Sequence, residues 1–447
     1  MIVLTATATA ITGIWGAGGG VEALFAVSAD SLASIARLAG LLSAGLLLLQ
    51  VILMARIPLF ERAFGRAEIT RRHRLTGIWS FVLLLVHIVL ITIAYSLADG
   101  SSLAAEAWNI VVGYPGMVLA SLGVVMIVLV MVTSARGVRR RLRYESWHLL
   151  HLYAYLGIAL TVPHMIWTGT DFIGHPLATA FWWALWAAAA GCVLVFRLAR
   201  PLLTSLHHRI RVAEVVPDGS RAVTVRMSGR NLDRLGARAG QHFTWRFLDG
   251  TGWSRGHPFS LSASPTSANL QITARTLGDG SRRLTGLPPG TRVLVEGPFG
   301  QMTGRRRRHG ALLLIGAGSG VAPLVSLLES EPFAPGEAVL VTRDHDAGER
   351  VRSSAIAALI AERGLVHCPL DGARAVAGST WLPEDCASAV GSEVLRRRLP
   401  ADPRTCDVFL CGPSPWMQAV RRDLRAAGVP ARSIHAESFT TERGGRR

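Results

Sequence analysis

Apolar residues come in long unbroken runs as far as about residue 200 and in short alternating bursts beyond it. Runs such as LLSAGLLLLQVILM, GMVLASLGVVMIVLVMV and ALWAAAAGCVLVF are too long for strands, and about 20 apolar residues in a helix cross a bilayer's hydrocarbon core. Six spans are predicted, at 1–16, 33–55, 73–97, 111–133, 147–168 and 177–199, the first being the weakest. After RLARPLLTSLHHR, the segments RAVTVRM, HFTWRFL, LQITARTL and TRVLVEGP alternate with period two, which predicts a small antiparallel β-barrel. From about 310, ALLLIGAGSGVAPLVSLLE reads as strand, glycine turn and helix, and EAVLVTRD, LVHCPL and DVFLCGP add buried strands separated by helical text, a doubly wound α/β layer. The chain is therefore expected to be a multidomain membrane protein: an all-α six-helix domain over 1–200, a β-barrel over 205–305 and an α/β domain over 306–447.

Charge gives this division an orientation. The net charge is +17, and all 47 basic residues are arginine. Arg56, Arg62, Arg66, Arg71, Arg72 and Arg74 precede one span and Arg136, Arg139, Arg140, Arg141 and Arg143 a later one, whereas the alternate loops carry Glu22, Asp30, Asp99, Glu106 and Asp171. The positive-inside rule puts the arginine loops, both termini and everything after Arg197 in the cytoplasm of what is expected to be a bacterial cell membrane. No aromatic-interleaved basic motif accompanies the charge, so nucleic acid is not an expected partner. The 5 cysteines form no C-x-x-C pair and suggest neither a disulfide framework nor zinc, Cys192 reading as a small residue of a membrane helix. MIVLTATATAITGIW lacks the basic start and cleavage site of a signal peptide and is read as a short span.

Ionisable groups inside a span are expensive, and so point to function. HRLTGIWSFVLLLVH puts His73 and His87 on the third span, and HLLHLYAYLGIALTVPH puts His151 and His164 on the fifth. Separations of fourteen and thirteen residues correspond to about 21 and 20 Å along a helix. One imidazole from each helix at each depth makes two bis-histidine sites, suited to haem iron with both axial positions filled. His73 and His151 would form the cytoplasmic-side pair, His87 and His164 the outer one. Fourteen residues return to within about 40° of one helical face but thirteen miss by about 140°, so a distortion at Pro163 is expected. His148 is the alternative to His151, which is preferred because its depth matches its partner better. A transported-ion site would bring carboxylates to the spans, and there are essentially none.

Three further segments carry chemistry. HPFSLSASP (257–265) sets an aromatic and hydroxyls at a barrel edge, and ARTLGDGSRRL offers backbone N–H groups at Gly278, Gly280 and Ser281 to a phosphate. GAGSGVAP (316–323), between a strand and a helix, would lay a pyrophosphate against the helix N-terminus.

Together these motifs resemble the ferredoxin-NADP reductase family: HPFS its flavin motif, GAGSGVAP its nicotinamide-nucleotide motif and CGPSPWM its late Cys-Gly-Pro turn. With the histidine-bearing spans, the chain from about residue 30 onward resembles the ferric reductase and NADPH oxidase flavocytochromes. The resemblance implies FAD contacts at His257, Pro258, Phe259 and Ser260, with Phe259 against the isoalloxazine and Ser260 near the reactive nitrogen. Arg275, Gly280 and Ser281 would serve the flavin pyrophosphate, and Gly316, Gly318, Gly320 and Pro323 the nicotinamide nucleotide. Cys411, Gly412 and Pro413 would shape the nicotinamide pocket; Glu437 and Phe439 match terminal acidic and aromatic positions beside the flavin. Ser260, Cys411 and Phe439 are thus the implied catalytic residues. His257 stands where the family's motif has arginine. Arg343 or Arg350 would read a 2′-phosphate, selecting NADPH over NADH.

The function this implies is an enzyme passing electrons from cytoplasmic NADPH or NADH through FAD and two b-type haems to a small acceptor at the outer face. Ferric iron or a chelate is favoured over dioxygen. The alternative from another class is a transport or sensing membrane protein whose cytoplasmic domain binds nucleotide only as a regulator.

Overall fold

The computed structural model describes residues 2–26, 29–173, 175–250, 255–376, 378–386 and 388–438. The chain forms two compact units, one ending at Arg197 and the other beginning at Leu198.

The first unit is helical: α1 (Ile2–Trp15), α2 (Ala29–Met54), α3 (Arg66–Asp99), α4 (Leu103–Gly113), α5 (Met117–Ser134), α6 (Tyr144–Thr168) and α7 (Pro176–Cys192). Among the described residues five helices are long and apolar enough to cross a membrane: Ala29–Met54, Glu68–Asp99, Met117–Ser134, Ser146–Thr168 and Pro176–His208. The segment expected as a first span is the 14-residue α1, about 21 Å long and short of a ~30 Å hydrocarbon layer. The text between the third and fourth expected spans is not merely loop. Gly100 ends α3 in a left-handed conformation, the Ser102 hydroxyl accepts from the Ala105 N–H to start α4, and Gly116 turns the chain into α5. The mostly apolar α4, a helix of 11 residues, was invisible to a reading based on membrane-length spans.

The helices pair as α2 with α3 and α5 with α6. The second pairing has a clear cause: a Cβ on Gly123 would stand 2.6 Å from the Gly157 carbonyl oxygen, and one on Gly157 would stand 3.0 Å from that of Gly123. Small residues facing each other let helix backbones meet where lipid supplies no hydrophobic driving force. Between α2 and α3 the buried Ser43 hydroxyl donates to the Ser80 carbonyl at 2.7 Å. Trp15, Leu41, Leu48, Phe172 and Trp182 fill a common core, while Trp79, Val118, Leu149 and Leu177 stay more than half exposed, the pattern of a lipid-facing surface.

A π-helical stretch, Val193–Ala199, follows α7. The second unit opens with α8 (Arg200–His208), then β1 (Arg211–Pro217), β2 (Ala222–Ser228), β3 (His242–Phe247), β4 (His257–Ser260), β5 (Asn269–Arg275) and β6 (Val293–Phe299). They form two antiparallel sheets, ordered β1-β2-β5 and β4-β3-β6. Isolated bridges Arg211 to Arg292 and Leu261 to Ile272 join the sheets at both edges, and Val225, Met227, Phe243, Trp245 and Ile272 fill the space between. The alternation read in the sequence is this inward and outward pleat.

β7 (Ala311–Ala317), α9 (Val321–Ser330), β8 (Ala338–Asp344), α10 (Ser353–Arg363), β9 (Val366–Asp371), β10 (Cys406–Gly412), α11 (Ser414–Ala426) and β11 (Ile434–Ser438) complete the chain as a parallel sheet ordered β11-β10-β7-β8-β9. The order reverses at β7, so a crevice opens at the carboxyl ends of β7 and β10, where such sheets receive ligands.

Candidate functional site

In the first unit α3 carries His73 and His87, and α6 carries His151 and His164. The imidazoles of His73 and His151 lie with centroids 6.0 Å apart, edge to face. His164 and His87 are within electrostatic reach of each other, although α6 stays helical through Pro163. His151 rather than His148 has the ring contact with His73; His148 lies beside Trp147.

Three of the four have Nδ1 occupied. His87 Nδ1 is 2.8 Å from the Ala36 carbonyl, His164 Nδ1 is 2.5 Å from the Thr161 carbonyl, and His151 Nδ1 is 3.2 Å from the Ser134 hydroxyl, which also accepts from Trp147 Nε1. His73 Nδ1 is buried beside the Gln50 backbone without a complete hydrogen bond. A carbonyl that accepts from Nδ1–H fixes the tautomer and leaves the Nε2 lone pair for a metal. Gly40 makes room for His87, since a Cβ there would be 2.8 Å from Nδ1. No group of three or more His, Cys, Asp or Glu suited to a metal ion occurs among the described residues. The His73–His151 pair, and His87 with His164 in electrostatic reach, are donor sets that would suit a haem iron.

Sequence reading overlooked Arg37, on α2 one residue from the carbonyl that holds His87. Its Nη1 donates to the Thr170 hydroxyl at 2.6 Å, and its Nε is 3.9 Å from Asp171, whose carboxyl burial pushes up while Arg37 pulls it down. An arginine within SLASIARLAGLL was itself the signal.

In the second unit β4 displays HPFS at the edge of β3. His257 and Phe259 share one face with rings 6.1 Å apart, Pro258 is exposed on the other, and Ser260 is buried with no partner for its hydroxyl among the described residues. Gly280, on the helical turn Asp279–Arg283, passes so close to His257 that a Cβ would be 2.4 Å from Cε1. The Ser281 hydroxyl closes that turn, accepting from the Gly278 N–H at 3.1 Å. Burial, then Arg283, Arg255 and Arg246, push the His257 pKa down, so at neutral pH it is an uncharged imidazole. Arg255 and Arg283, which WSRG and GSRRL had displayed in the sequence, line the same cleft, Arg283 in a two-point ion pair with Asp249.

The crevice beyond β7 is a cavity of about 300 Å³ lined by Gly318, Ser319, Gly320, Arg374, Gly412 and Pro413, among others. Gly316 ends the buried part of β7, and Pro323 lies in the first turn of α9. Gly318 has φ +56°, and a Cβ on Gly320 would stand 2.4 Å from the Cys411 carbonyl oxygen. The turn therefore presents bare backbone at a helix N-terminus.

Two arginines are not where the motifs implied. Arg275 turns to this cavity: its Nη2 donates to Asp344 Oδ1 at 2.8 Å and to the Glu349 carbonyl at 2.9 Å, and Nη1 lies over Gly318. It faces the glycine turn, not the His257 cleft, because the fully buried Asp344 carboxylate draws it there. Arg343 reaches the cavity wall, but its guanidinium donates to the backbone carbonyls of Trp381, Asp344, Leu370 and Ala373, which leaves little to offer a phosphate. Arg350 pairs with Asp371 and Asp344. Arg374, exposed and anchored on Thr380, is the cavity's accessible cation.

Cys411 pairs in register with Gly316 on one side and Glu437 on the other and is wholly buried. Burial, then Glu437, push its thiol well above the ordinary range, and burial pushes Cys406 up to about 12. Only the thiolate is nucleophilic. Iodoacetamide at pH 8 should therefore leave both unlabelled in the native protein and modify both after denaturation, read by peptide mass spectrometry; native labelling of Cys411 would contradict the burial of its thiol. Glu437 stands 3.0 Å from His242. Phe439 lies outside the described residues.

Residues 39–162 match the family model described as "Ferric reductase like transmembrane component". The other half is similar to ferredoxin reductase components of 3-ketosteroid-9-alpha-monooxygenase, from Rhodococcus rhodochrous (27% identical, 51% of this chain and 68% of the relative) and Mycolicibacterium smegmatis (30%, 52% and 65%). The chain thus spans about two thirds of the length of these curated relatives. A ferredoxin NADP⁺ reductase from Neisseria gonorrhoeae, solved with FAD and NADP, covers 52% of this chain and 97% of its own at 18% identity and TM-score 0.41. The chain thus joins a segment similar to the ferric reductase transmembrane component to one similar to ferredoxin reductase components. It is an NAD(P)H-dependent oxidoreductase.

Proposed function

We propose that this protein carries electrons from NAD(P)H through FAD and two b-type haems to a small acceptor across the membrane, most simply ferric iron or a ferric chelate. The observation that carries this reading is the placing of His73 beside His151 and of His87 within electrostatic reach of His164, on α3 and α6, with three of the four Nδ1 atoms engaged, in a chain that also has a nucleotide crevice. His73 and His151 would hold one haem and His87 and His164 the other. A haem held by these histidines would supply one-electron chemistry. FAD is needed between the two, because a nicotinamide gives up two electrons together and each haem accepts one.

The sheets β1 to β6 act as the flavin barrel, with Phe259 and Ser260 at the ring and His257, Gly280, Arg255 and Arg283 at the pyrophosphate. The crevice holds the nicotinamide nucleotide, its pyrophosphate on the Gly316–Gly320 turn and its charge met by Arg275. Arg374 is the better placed reader of a 2′-phosphate. Arg275→Ala is then expected to raise KM for NADPH by roughly tenfold or more, the loss of a charge-assisted contact of ~1.5–3 kcal/mol, with flavin content unchanged. Loss of FAD with an unaltered KM would return Arg275 to the flavin.

The test of the function is transmembrane. Proteoliposomes with a ferric chelate sealed inside and NADPH outside should reduce the chelate without leakage, and Arg37→Leu should slow that reduction. Reduction only of chelate added on the NADPH side would remove the transmembrane reading, and oxygen uptake with superoxide release would make dioxygen the acceptor.

A further inference from the structure

We infer that the leucine face of α8 is a membrane-interface segment, whose partner is the boundary between lipid headgroups and acyl chains. This rests on the membrane-spanning character of the chain and goes beyond the electron-transfer reading, since it needs neither haem nor a particular acceptor.

The helix is inside out for a soluble domain. At about 100° per residue, Leu202, Leu203 and Leu206 fall within about 100° of arc, Ser205 and His208 lie about 60° apart on a second side, and Arg200 and His207 occupy a third. The polar second side is the one that meets the barrel. Ser205 Oγ accepts from the Val295 N–H at 2.9 Å on β6, an edge strand of its sheet, and His208 Nδ1 is 2.9 Å from the Arg230 carbonyl, just past β2 in the other sheet. A side-chain oxygen thus covers part of a strand edge that would otherwise stay open. The leucines turn away from the protein: Leu202, Leu203 and Leu206 are 53%, 64% and 59% exposed, and Leu198, just before α8, is 59% exposed. A surface helix ordinarily buries its apolar stripe against the core. Here hydrogen bonds hold the core side, and the apolar stripe is left for another partner.

The continuity of the helix identifies that partner. α7, the π-helical stretch and α8 follow one another without a break as one apolar helical run, Pro176–His208, of 33 residues, about 50 Å at 1.5 Å per residue. A hydrocarbon core of ~30 Å takes up about 20 of them. α8, tied to a folded barrel, belongs to the remainder and begins where the span leaves the hydrocarbon. It has a leucine stripe on one side, with Arg200, His207 and Arg209 exposed on the others. That is the layout of a helix lying in the interface plane, its apolar face about 5–10 Å into the headgroup and acyl boundary and its basic residues among the phosphates. The unbroken link to α7 keeps lipid within reach at all times, which favours it over a second protein as the occupant.

The test uses the full-length protein in lipid nanodiscs, in a Cys192→Ala, Cys368→Ala and Cys386→Ala background that leaves only the buried Cys406 and Cys411. A nitroxide is attached in turn at Leu203→Cys, Leu206→Cys, Arg200→Cys and His207→Cys. Power-saturation electron paramagnetic resonance then compares collisions with oxygen, which concentrates among acyl chains, and with a nickel chelate, which stays in water. Oxygen accessibility is expected to exceed nickel accessibility at least about threefold at 203 and 206, and the order to reverse at 200 and 207. Nickel accessibility dominating at both leucine positions would overturn the inference in favour of a helix in open water. Exclusion of both reagents with an immobilised spectrum would overturn it in favour of a protein partner or a second copy of the chain. Leu202→Cys serves if either leucine variant folds poorly, judged by circular dichroism against wild type. Neither result bears on the haems or the flavin, so failure here is distinct from failure of the electron-transfer reading.

Discussion

Replacing His87 with leucine is expected to lower haem content from two per chain to about one, counted by pyridine haemochrome, and to cut NADPH-driven reduction of an acceptor across the membrane by at least ~100-fold, equivalent to about 2.7 kcal/mol or more in the barrier. Leucine fills much of the same space beside Gly40 and buries no unpaired polar atom. The Ala36 carbonyl it leaves lies within a helix, so the fold should persist. His164→Leu should give the same phenotype and the double variant no further loss of haem, because the two imidazoles serve one iron. His148→Leu should keep both haems, since the ring that meets His73 belongs to His151. A His87→Leu protein with two haems and wild-type flow would dissolve the pairing.

The second large effect is expected at Gly320. Alanine there would drive a methyl group to 2.4 Å from the Cys411 carbonyl oxygen and 3.0 Å from the Gly412 amide nitrogen. Both neighbours are backbone at the end of a buried strand, so neither can swing aside, and relief requires β10 and the N-terminus of α9 to separate. Overpacking of this kind costs ~1–3 kcal/mol, and here it falls on the surface proposed for the pyrophosphate. Gly320→Ala should reduce NADPH-driven flavin reduction by roughly 100-fold while dithionite still reduces the haems fully, a separation that stopped-flow absorbance measures directly. Equal loss of both signals would mean that the variant had unfolded, which circular dichroism would register.

Much of this architecture was legible because it rests on periodicity. Membrane-length apolar runs and alternating strands announce themselves one segment at a time, and the parallel sheet follows from a strand, a glycine turn and a helix in sequence. The histidines were legible for the same reason: fourteen residues are nearly four turns, so His73 and His87 must share a face of α3. What stayed hidden depends on the third dimension. α4 is too short to register as a span and too apolar to read as a loop.

Arg343 looked like a phosphate reader because a strand-end arginine is usually accessible, and nothing in VLVTRDHD announces four carbonyls waiting for its guanidinium. Arg275 sat in a motif assigned to the flavin, and only the placement of Asp344 at the end of β8, in the parallel sheet, drew it to the other crevice. His242, within GQHFTWRF, carried no motif at all. Its partner is nearly two hundred residues away, and the pairing exists because β3 and β11 bring His242 and Glu437 together below Gly300.

The most direct test of the central claim is an anaerobic spectrum of membranes containing the protein, recorded before and after NADPH and then after dithionite. The account predicts a b-type α-band that NADPH alone brings up to most of the dithionite level, with two haems per chain by pyridine haemochrome. Membranes without that band, or a band that dithionite raises and NADPH does not, would contradict it.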